Sequence, residues 1–332
     1  MKKSISIAAV GALLLASVGC TPVKRGEYAK GSATIFCDDG FKTVLDEEIE
    51  VFEYSYPESS IIPFYVSQTE AIDTLMADNT QAIIVTKELS KEQVDYMKAK
   101  FKRVIRQNCI AVDAVALIVN KKNPVSALSV DEIGKIMQGK ITRWNKLAGN
   151  DTTAIKIVFD NMGSSTVSYM RDRFLGDSAR ISDNKNAFAQ ENNAAVFDVV
   201  KTDPNALGVI SVSWLGDNLS AAKNIPLDQR VNAYKNETDT VAPQLTTEVN
   251  ILKVSNPTQD NDFSPVAYKP YQAYIYSGEY PLVRKVYMIT SASNSTVVHS
   301  FYAFVTGFVG QKIISLTGIL PYHMNPRVVE VK

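Results

Sequence analysis

The sequence predicts an α/β protein of two domains, and three observations carry that expectation. Short apolar runs of four to ten residues alternate with stretches of helical spacing, the pattern of a parallel sheet covered by helices on both faces. The chain has 332 residues, long for one core and suited to two. Its composition, 45% hydrophobic and 21% charged, is that of a globular chain able to bury large cores. Charge is balanced at 35 Lys plus Arg against 35 Asp plus Glu, so no global field points to nucleic acid or to an anionic membrane surface. Recognition of a charged ligand must then be local.

Lys2 and Lys3 precede an apolar run from Ile5 to Val18 that ends in small residues and Cys20. The run is too short for a mature membrane span and has the layout of an export signal. Its end, Ala16-Ser17-Val18-Gly19-Cys20, resembles the lipobox of bacterial lipoproteins, which implies a signal peptide over 1–20 and an acylated Cys20. The polar stretch 21–30 reads as a tether. The membrane would be reached through acyl chains alone.

Ala33 to Cys37 forms the first apolar strand, Asp38-Asp39-Gly40 a turn, and Phe41, Val44, Leu45, Ile49, Phe52 and Tyr56 recur at helical spacing until Pro57. Ile61 to Val66 is the next strand, Ser67 to Asn79 the next helix, and Ala82 to Val85 a short buried strand closed by Thr86. Ser90 with Gln93, and Ser129 with Glu132, have the form of capping boxes opening two further helices. Between them, Ile110 to Val119 is a candidate for a strand passing from one domain to the other. A helix is expected around Asn193 to Thr202 and a strand over Leu207 to Val212. The stretch 216–280 has weak periodicity and reads as mixed strands and loops. Val286 to Thr290 is a strand, followed by a helix carrying Val298 to Phe308 and by the apolar segment Ile313 to Leu320.

The segment Val158 to Leu175 is the candidate site. A strand end (Ile157, Val158, Phe159) meets the turn Gly163-Ser164-Ser165-Thr166, and a helix follows with Val167, Met170, Phe174 and Leu175 inward. Such a junction aims unpaired N–H groups, the positive end of the helix dipole and three hydroxyls at one point, a place for an oxyanion. Ser164 or Ser165 acting only as a helix cap is the alternative. His299 and His323 are the only histidines and neither has metal-ligand spacing, so no metal or cofactor is expected. No Gly-x-Ser-x-Gly elbow is present, so a serine hydrolase using Ser164 or Ser165 is disfavoured and no enzyme is expected. Cys37 and Cys109 are compatible with a disulfide or with two buried thiols.

Leu128 to Trp144, LSVDEIGKIMQGKITRW, closely resembles the Leu-Ser, helix, Gly-x-Ile-Thr-x-Trp segment of the phosphate-binding proteins of phosphate ABC transporters, the PstS-like type II periplasmic solute-binding proteins. Asp113 to Val125, Asn205 to Trp214 and Tyr280 to Pro321 fall in the family's order at fitting spacings. The resemblance implies a two-domain Venus-flytrap fold, with domain I over 31–112 and 288–332 and domain II over 113–287. It also implies a monomer that binds phosphate or a related small oxyanion in the interdomain cleft and delivers it to an ABC permease. The location implied is the cell envelope, periplasmic or surface-exposed, with no nucleic-acid partner.

Carried over by position, the family's first phosphate loop falls on Cys37-Asp38-Asp39-Gly40, where carboxylates replace hydroxyls. Its second turn falls on Ser67 to Ala71, which keeps Ser67 and Thr69 and adds Glu70. Thr86 and Lys87 match its Ser-Arg, while its proton-accepting aspartate falls near Gln81 or Ala82 and is missing. Its Arg-x-x-Gly-Ser-Gly-Thr loop falls on Asp160 to Thr166, with Asp160 in place of the arginine. The ligand-binding residues implied are Gly163, Ser164, Ser165, Thr166, Asp38, Asp39, Gly40, Thr69, Thr86 and Lys87. Asp39 could accept a proton from phosphate and so reject sulfate, and Lys87 could offset the second charge; alternatively Asp38 or Asp39 caps the helix from Phe41. Two carboxylates beside a doubly charged anion cost several kcal/mol unless protonated, paired or turned away. The same fold with altered specificity, acting as a sensor or surface interaction protein, is therefore the alternative function.

Overall fold

The computed structural model describes residues 30–148, 152–176, 179–216, 223–236, 244–256 and 266–324. The export signal, Cys20 and the tether through residue 29 lie outside the described residues, as do parts of 216–280.

The chain opens β1 (Gly31–Asp38), α1 (Lys42–Ser55), β2 (Ser59–Val66), α2 (Gln68–Met76), β3 (Ala82–Val85) and α3 (Lys91–Phe101), the expected alternation. β1 pairs in parallel with both β2 and β3. On α1, Val44, Leu45, Ile49 and Phe52 face the core, and Phe52 meets the rings of Phe301 and Phe304 edge-on. Both capping boxes form, Ser90 with Gln93 at α3 and Ser129 with Glu132 at α4 (Val130–Met137).

The long apolar run becomes β4 (Arg106–Val119), which joins two lobes. Up to Ala114 it pairs with β12 (Val283–Thr290); from Val115 it pairs with β8 (Ala206–Ser211). Beyond β8 lie β6 (Lys156–Phe159) and β7 (Ala187–Ala189), both parallel additions, so the strand order is β2-β1-β3-β12-β4-β8-β6-β7. The sheet is mixed rather than wholly parallel. The chain leaves the first lobe on β4 and returns on β12 beside it, so β12 runs antiparallel to β4 and β3. The second lobe also holds α5 (Ser165–Phe174) and α6 (Asn193–Thr202). Within 216–280, α7 (Leu227–Asn236) is a helix that the sequence pattern did not reveal, packed against α1. Near the C-terminus the expected helix ends at Val305, before Phe308, and Phe308 opens a second helix: Val297–Val305 and Phe308–Leu316 are bent by 61°. Gly310 makes the bend possible, since a Cβ there would lie 2.5 Å from the Phe304 carbonyl oxygen. Cys37 is buried, Cys109 half-buried, and both are free. Among the described residues no single helix is long and apolar enough to cross a membrane.

Two acids on α1 point inward. Glu47 is fully buried and met by Arg230 and the Tyr234 hydroxyl of α7. Glu48, 2% exposed, lines an apolar cavity of about 30 Å³ with Phe41, Val44, Ile84, Val286 and Ile314, and neither of its oxygens has a hydrogen-bond partner. Burial, and then the Glu47 charge, push the Glu48 carboxyl well above its usual range. The unfolded chain releases this proton above about pH 4 while the folded chain retains it, so the carboxyl lowers stability as pH rises. Glu48→Met, of similar length and apolar, is expected to raise stability by about 1–3 kcal/mol near pH 8 and by less near pH 4. Urea unfolding at the two pH values measures this, and an equal change at both would remove the ionisation argument.

Candidate functional site

The turn after β6 is built as its residues dictate. Gly163 donates its N–H to Asn161 Oδ1 at 3.1 Å, and Ser164, in extended conformation, caps α5 by accepting the Val167 N–H at 3.2 Å. Ser165 and Thr166 form the first turn of the helix and are fully buried. This is the strand–turn–helix junction expected from the sequence, and an acidic group from elsewhere in the chain occupies it.

That group is the carboxylate of Asp38, delivered from the end of β1 in the other lobe. Asp38 Oδ2 accepts the Ser165 N–H at 3.0 Å, and Oδ1 accepts the Ser165 hydroxyl at 2.9 Å and the Gly40 N–H at 3.0 Å. Gly40 permits the fold-back, because a Cβ there would lie 2.8 Å from Asp38 Oδ1. Asp38 thus caps the turn before α1, one of the alternatives open from sequence, and also crosses between lobes. Asp39 does the same at the neighbouring helix: its Oδ2 accepts both the N–H and the Nδ2–H of Asn193, the first residue of α6, at 3.3 Å. Asn193 Nδ2 also donates to Asp160 at 3.1 Å, and the Ser164 hydroxyl donates to the other Asp160 oxygen.

One buried cation serves this acidic corner. Arg284 on β12 faces Asp113 on β4, donating from Nε at 2.9 Å with Nη2 at 2.8 Å. Its Nη1 lies 3.5 Å from the Thr166 hydroxyl. Asp113 is held further by Ser211, whose hydroxyl is linked to Ser213, and the Ser213 hydroxyl donates to the Gly40 carbonyl at 2.7 Å. Burial raises the carboxyls of Asp38 and Asp113, opposed by the Arg284 charge. Asp160 is pushed up to about 7, first by burial and then by the charge of Asp38. Asp113 is therefore paired, Asp38 is met by oriented N–H and O–H donors, and Asp160 keeps its proton to higher pH than an ordinary carboxyl.

The other implied residues lie around this corner rather than in it. Both the N–H and the hydroxyl of Thr69 donate to the Gly163 carbonyl at 3.2 Å, another contact between lobes. The Thr86 N–H and hydroxyl are spent on Gln68 Oε1 at 2.8 and 2.9 Å. Lys87 does not offset the buried carboxylates; it forms an exposed pair with Asp172 of α5 at 3.6 Å. Its reach across the rim explains the difference. Asp39 Oδ2 is already engaged as an acceptor, by the two Asn193 donors.

Sequence reasoning missed Arg284, Asn193, Asp113 and Ser213. Arg284 had a signal: it is in phase with the inward Val286 and Met288, and a charge on the buried side of a strand needs a partner. Asn193 and Ser213 reach the corner only through tertiary packing. Chemically, the site offers backbone N–H, hydroxyl and guanidinium donors, and its serine hydroxyls are paired with carboxylates rather than with a histidine. His323 lies against the Cys109 carbonyl instead. Among the described residues no group of three or more His, Cys, Asp or Glu is arranged to hold a metal ion.

Comparison with known proteins gives the setting. Residues 24–309 match the model of the PBP superfamily domain. The phosphate-binding protein PstS of Bacillus subtilis is 25% identical over 202 residues, 61% of this chain and 64% of the relative. The PstS of Borreliella burgdorferi is 22% identical, over 46% of this chain and 56% of its own length. The chain thus spans about 64% and 56% of the lengths of these two relatives. Among solved structures, a phosphate-bound Clostridium perfringens protein assigned to the phosphate ABC transporter substrate-binding proteins superposes with TM-score 0.67 at 21% identity, covering 88% of this chain and 99% of the other. An ABC-type phosphate transport receptor from Vibrio cholerae gives TM-score 0.60 at 19% identity, covering 88% and 100%. These structural likenesses establish the fold.

Asp160 makes the site pH-dependent. The unfolded chain loses this proton near pH 4 and the folded chain near pH 7, so its contribution falls as pH rises between the two and is level above. The melting temperature is expected to fall from pH 5 to pH 8, and Asp160→Asn to flatten that slope. Melts of both proteins across this range check it; identical slopes would mean that Asp160 titrates normally.

Proposed function

The chain belongs to the PBP superfamily, and on that premise we propose that it is an extracytoplasmic solute-binding protein of the phosphate ABC transporter type, taking phosphate or a related small oxyanion between its lobes. The observation that carries this reading is the N-terminus of α5, where the N–H and hydroxyl of Ser165 together hold an anionic group that comes from the opposite lobe. Backbone donors, a helix dipole and a buried arginine suit a small oxyanion better than any other class of ligand. The names of the relatives support phosphate as the ion.

In this reading the lobes, 31–112 with 288–332 and 113–287, part about the crossing strands, as hinged binding proteins do, and the ion enters the opened corner. The pairing of β4 changes partner between Ala114 and Val115, which supports a pivot there. Acyl chains on Cys20 would hold the monomer at the envelope and an ABC permease would receive the ion. A second reading has its own support: Asp38, Asp39 and Asp160 surround the cradle, which favours a binding module of altered specificity, a sensor or a surface interaction protein. A different ligand carried through purification, identified by mass spectrometry, would favour it.

Calorimetric titration with phosphate, against sulfate as control, tests the leading reading. Binding of phosphate is expected, with Ser165→Ala or Thr166→Ala each weakening it by about 1–3 kcal/mol. No heat and no thermal shift with phosphate up to millimolar concentration would remove it.

A further inference from the structure

We propose that Asp38 is an internal ligand: its carboxylate fills the oxyanion place at the start of α5, holds the lobes shut without solute, and must be displaced before an external oxyanion binds. This rests on the reading of the cleft as an oxyanion site and adds how access to that site is controlled. The three donors that Asp38 engages come from both lobes, Gly40 N–H from its own and Ser165 N–H and hydroxyl from the other. A bound oxyanion would take donors from both lobes in the same way. Asp38 is fully buried, as are Ser165 and Thr166, so the occupied corner leaves no room for a second anion while it remains in place.

Neighbouring contacts complete the closure. Asp39 docks on the first residue of α6, Ser213 on the Gly40 carbonyl, and Thr69 on the Gly163 carbonyl. The turn Asp38-Asp39-Gly40 therefore enters the second lobe as a two-pronged plug, one carboxylate for each helix start. A tethered competitor lowers apparent affinity by the fraction of molecules in which it is released. It also selects for ligands, because an incoming ion must offer more to the cradle than a carboxylate already in place.

Asp38→Ser separates these functions. Serine can still accept the Gly40 N–H and keep the turn, but is too short to bridge to Ser165. Asp38→Asn keeps the shape and removes the charge, and serves as a second variant should the first fold poorly. Small-angle scattering of the full chain without phosphate is expected to show the natural protein compact and Asp38→Ser expanded, with phosphate returning the variant to the compact form. Asp38→Ser is expected to bind phosphate at least about tenfold more tightly than the natural chain. Folded variants, by circular dichroism and melting, that remain as compact as the natural chain would overturn the proposal. So would expansion in a variant that binds phosphate measurably but no more tightly than the natural chain. Expansion with no phosphate binding in either protein would support Asp38 as the clasp and sink the phosphate reading instead.

Discussion

The closed arrangement of this molecule depends on a carboxylate of one lobe placed at a helix start of the other. A helix of ten residues such as α5 presents N–H groups with no partner inside the helix, and closing a cleft over them without an acceptor leaves them buried and unsatisfied. Two-lobed proteins meet that cost with a ligand. Here Asp38 supplies the acceptor covalently, and each hydrogen bond to a charged group contributes about 1.5–3 kcal/mol. The surrounding contacts are weaker. The exposed Lys87 pair with Asp172 is worth about 0–1 kcal/mol, and the 3.3 Å contacts of Asp39 are long. Among the contacts at this corner Asp38 makes the most charge-assisted hydrogen bonds, and the buried Arg230–Glu47 pair of α7 and α1 joins the lobes elsewhere.

Burying so much negative charge is tolerable because the acids are graded in environment. Asp113 takes the direct pair with Arg284, Asp38 takes oriented N–H and O–H donors together with the Arg284 field, and Asp160 takes hydroxyl and amide donors and holds its proton up to about 7. Each group is met by a different device. A single guanidinium could not neutralise all of them in a low-dielectric interior, so one acid carries the burden as a retained proton.

Much of the fold was legible because it rests on local patterns. The alternating runs gave β1 through α3, the Ser-x-x-Gln and Ser-x-x-Glu pairs formed as capping boxes, and Val158 to Leu175 folded as strand, turn and helix with Ser164 at the cap. The antiparallel return of β12 was not legible, since strand direction depends on the path between lobes rather than on residue spacing. Helix α7 was hidden by mean composition, its buried Arg230 disguising an inward face that Glu47 and Glu50 of α1 explain. The site divides the same way. The turn at Gly163 to Thr166 is written in adjacent residues, whereas the use of Asp38 across a separation of 127 positions is visible only in three dimensions.

The two substitutions that made the sequence look unsuited to an anion are coupled in space. Asp160 stands where the family pattern has an arginine, and Asp38 where it has hydroxyls, so on paper the cradle gains two negative charges and loses a positive one. In the fold, Arg284 reaches the same corner from β12, and its Nη2 lies 3.8 Å from where a Gly40 Cβ would sit, beside the Asp38 turn. Positive charge at this corner thus comes from a strand that links the lobes and not from the loop at Asp160. A cation on a linking strand acts on both faces of the cleft at once, favouring whichever anion, internal or external, occupies the start of α5. On the proposed reading, the acidic residues set not whether an oxyanion fits but what it must displace.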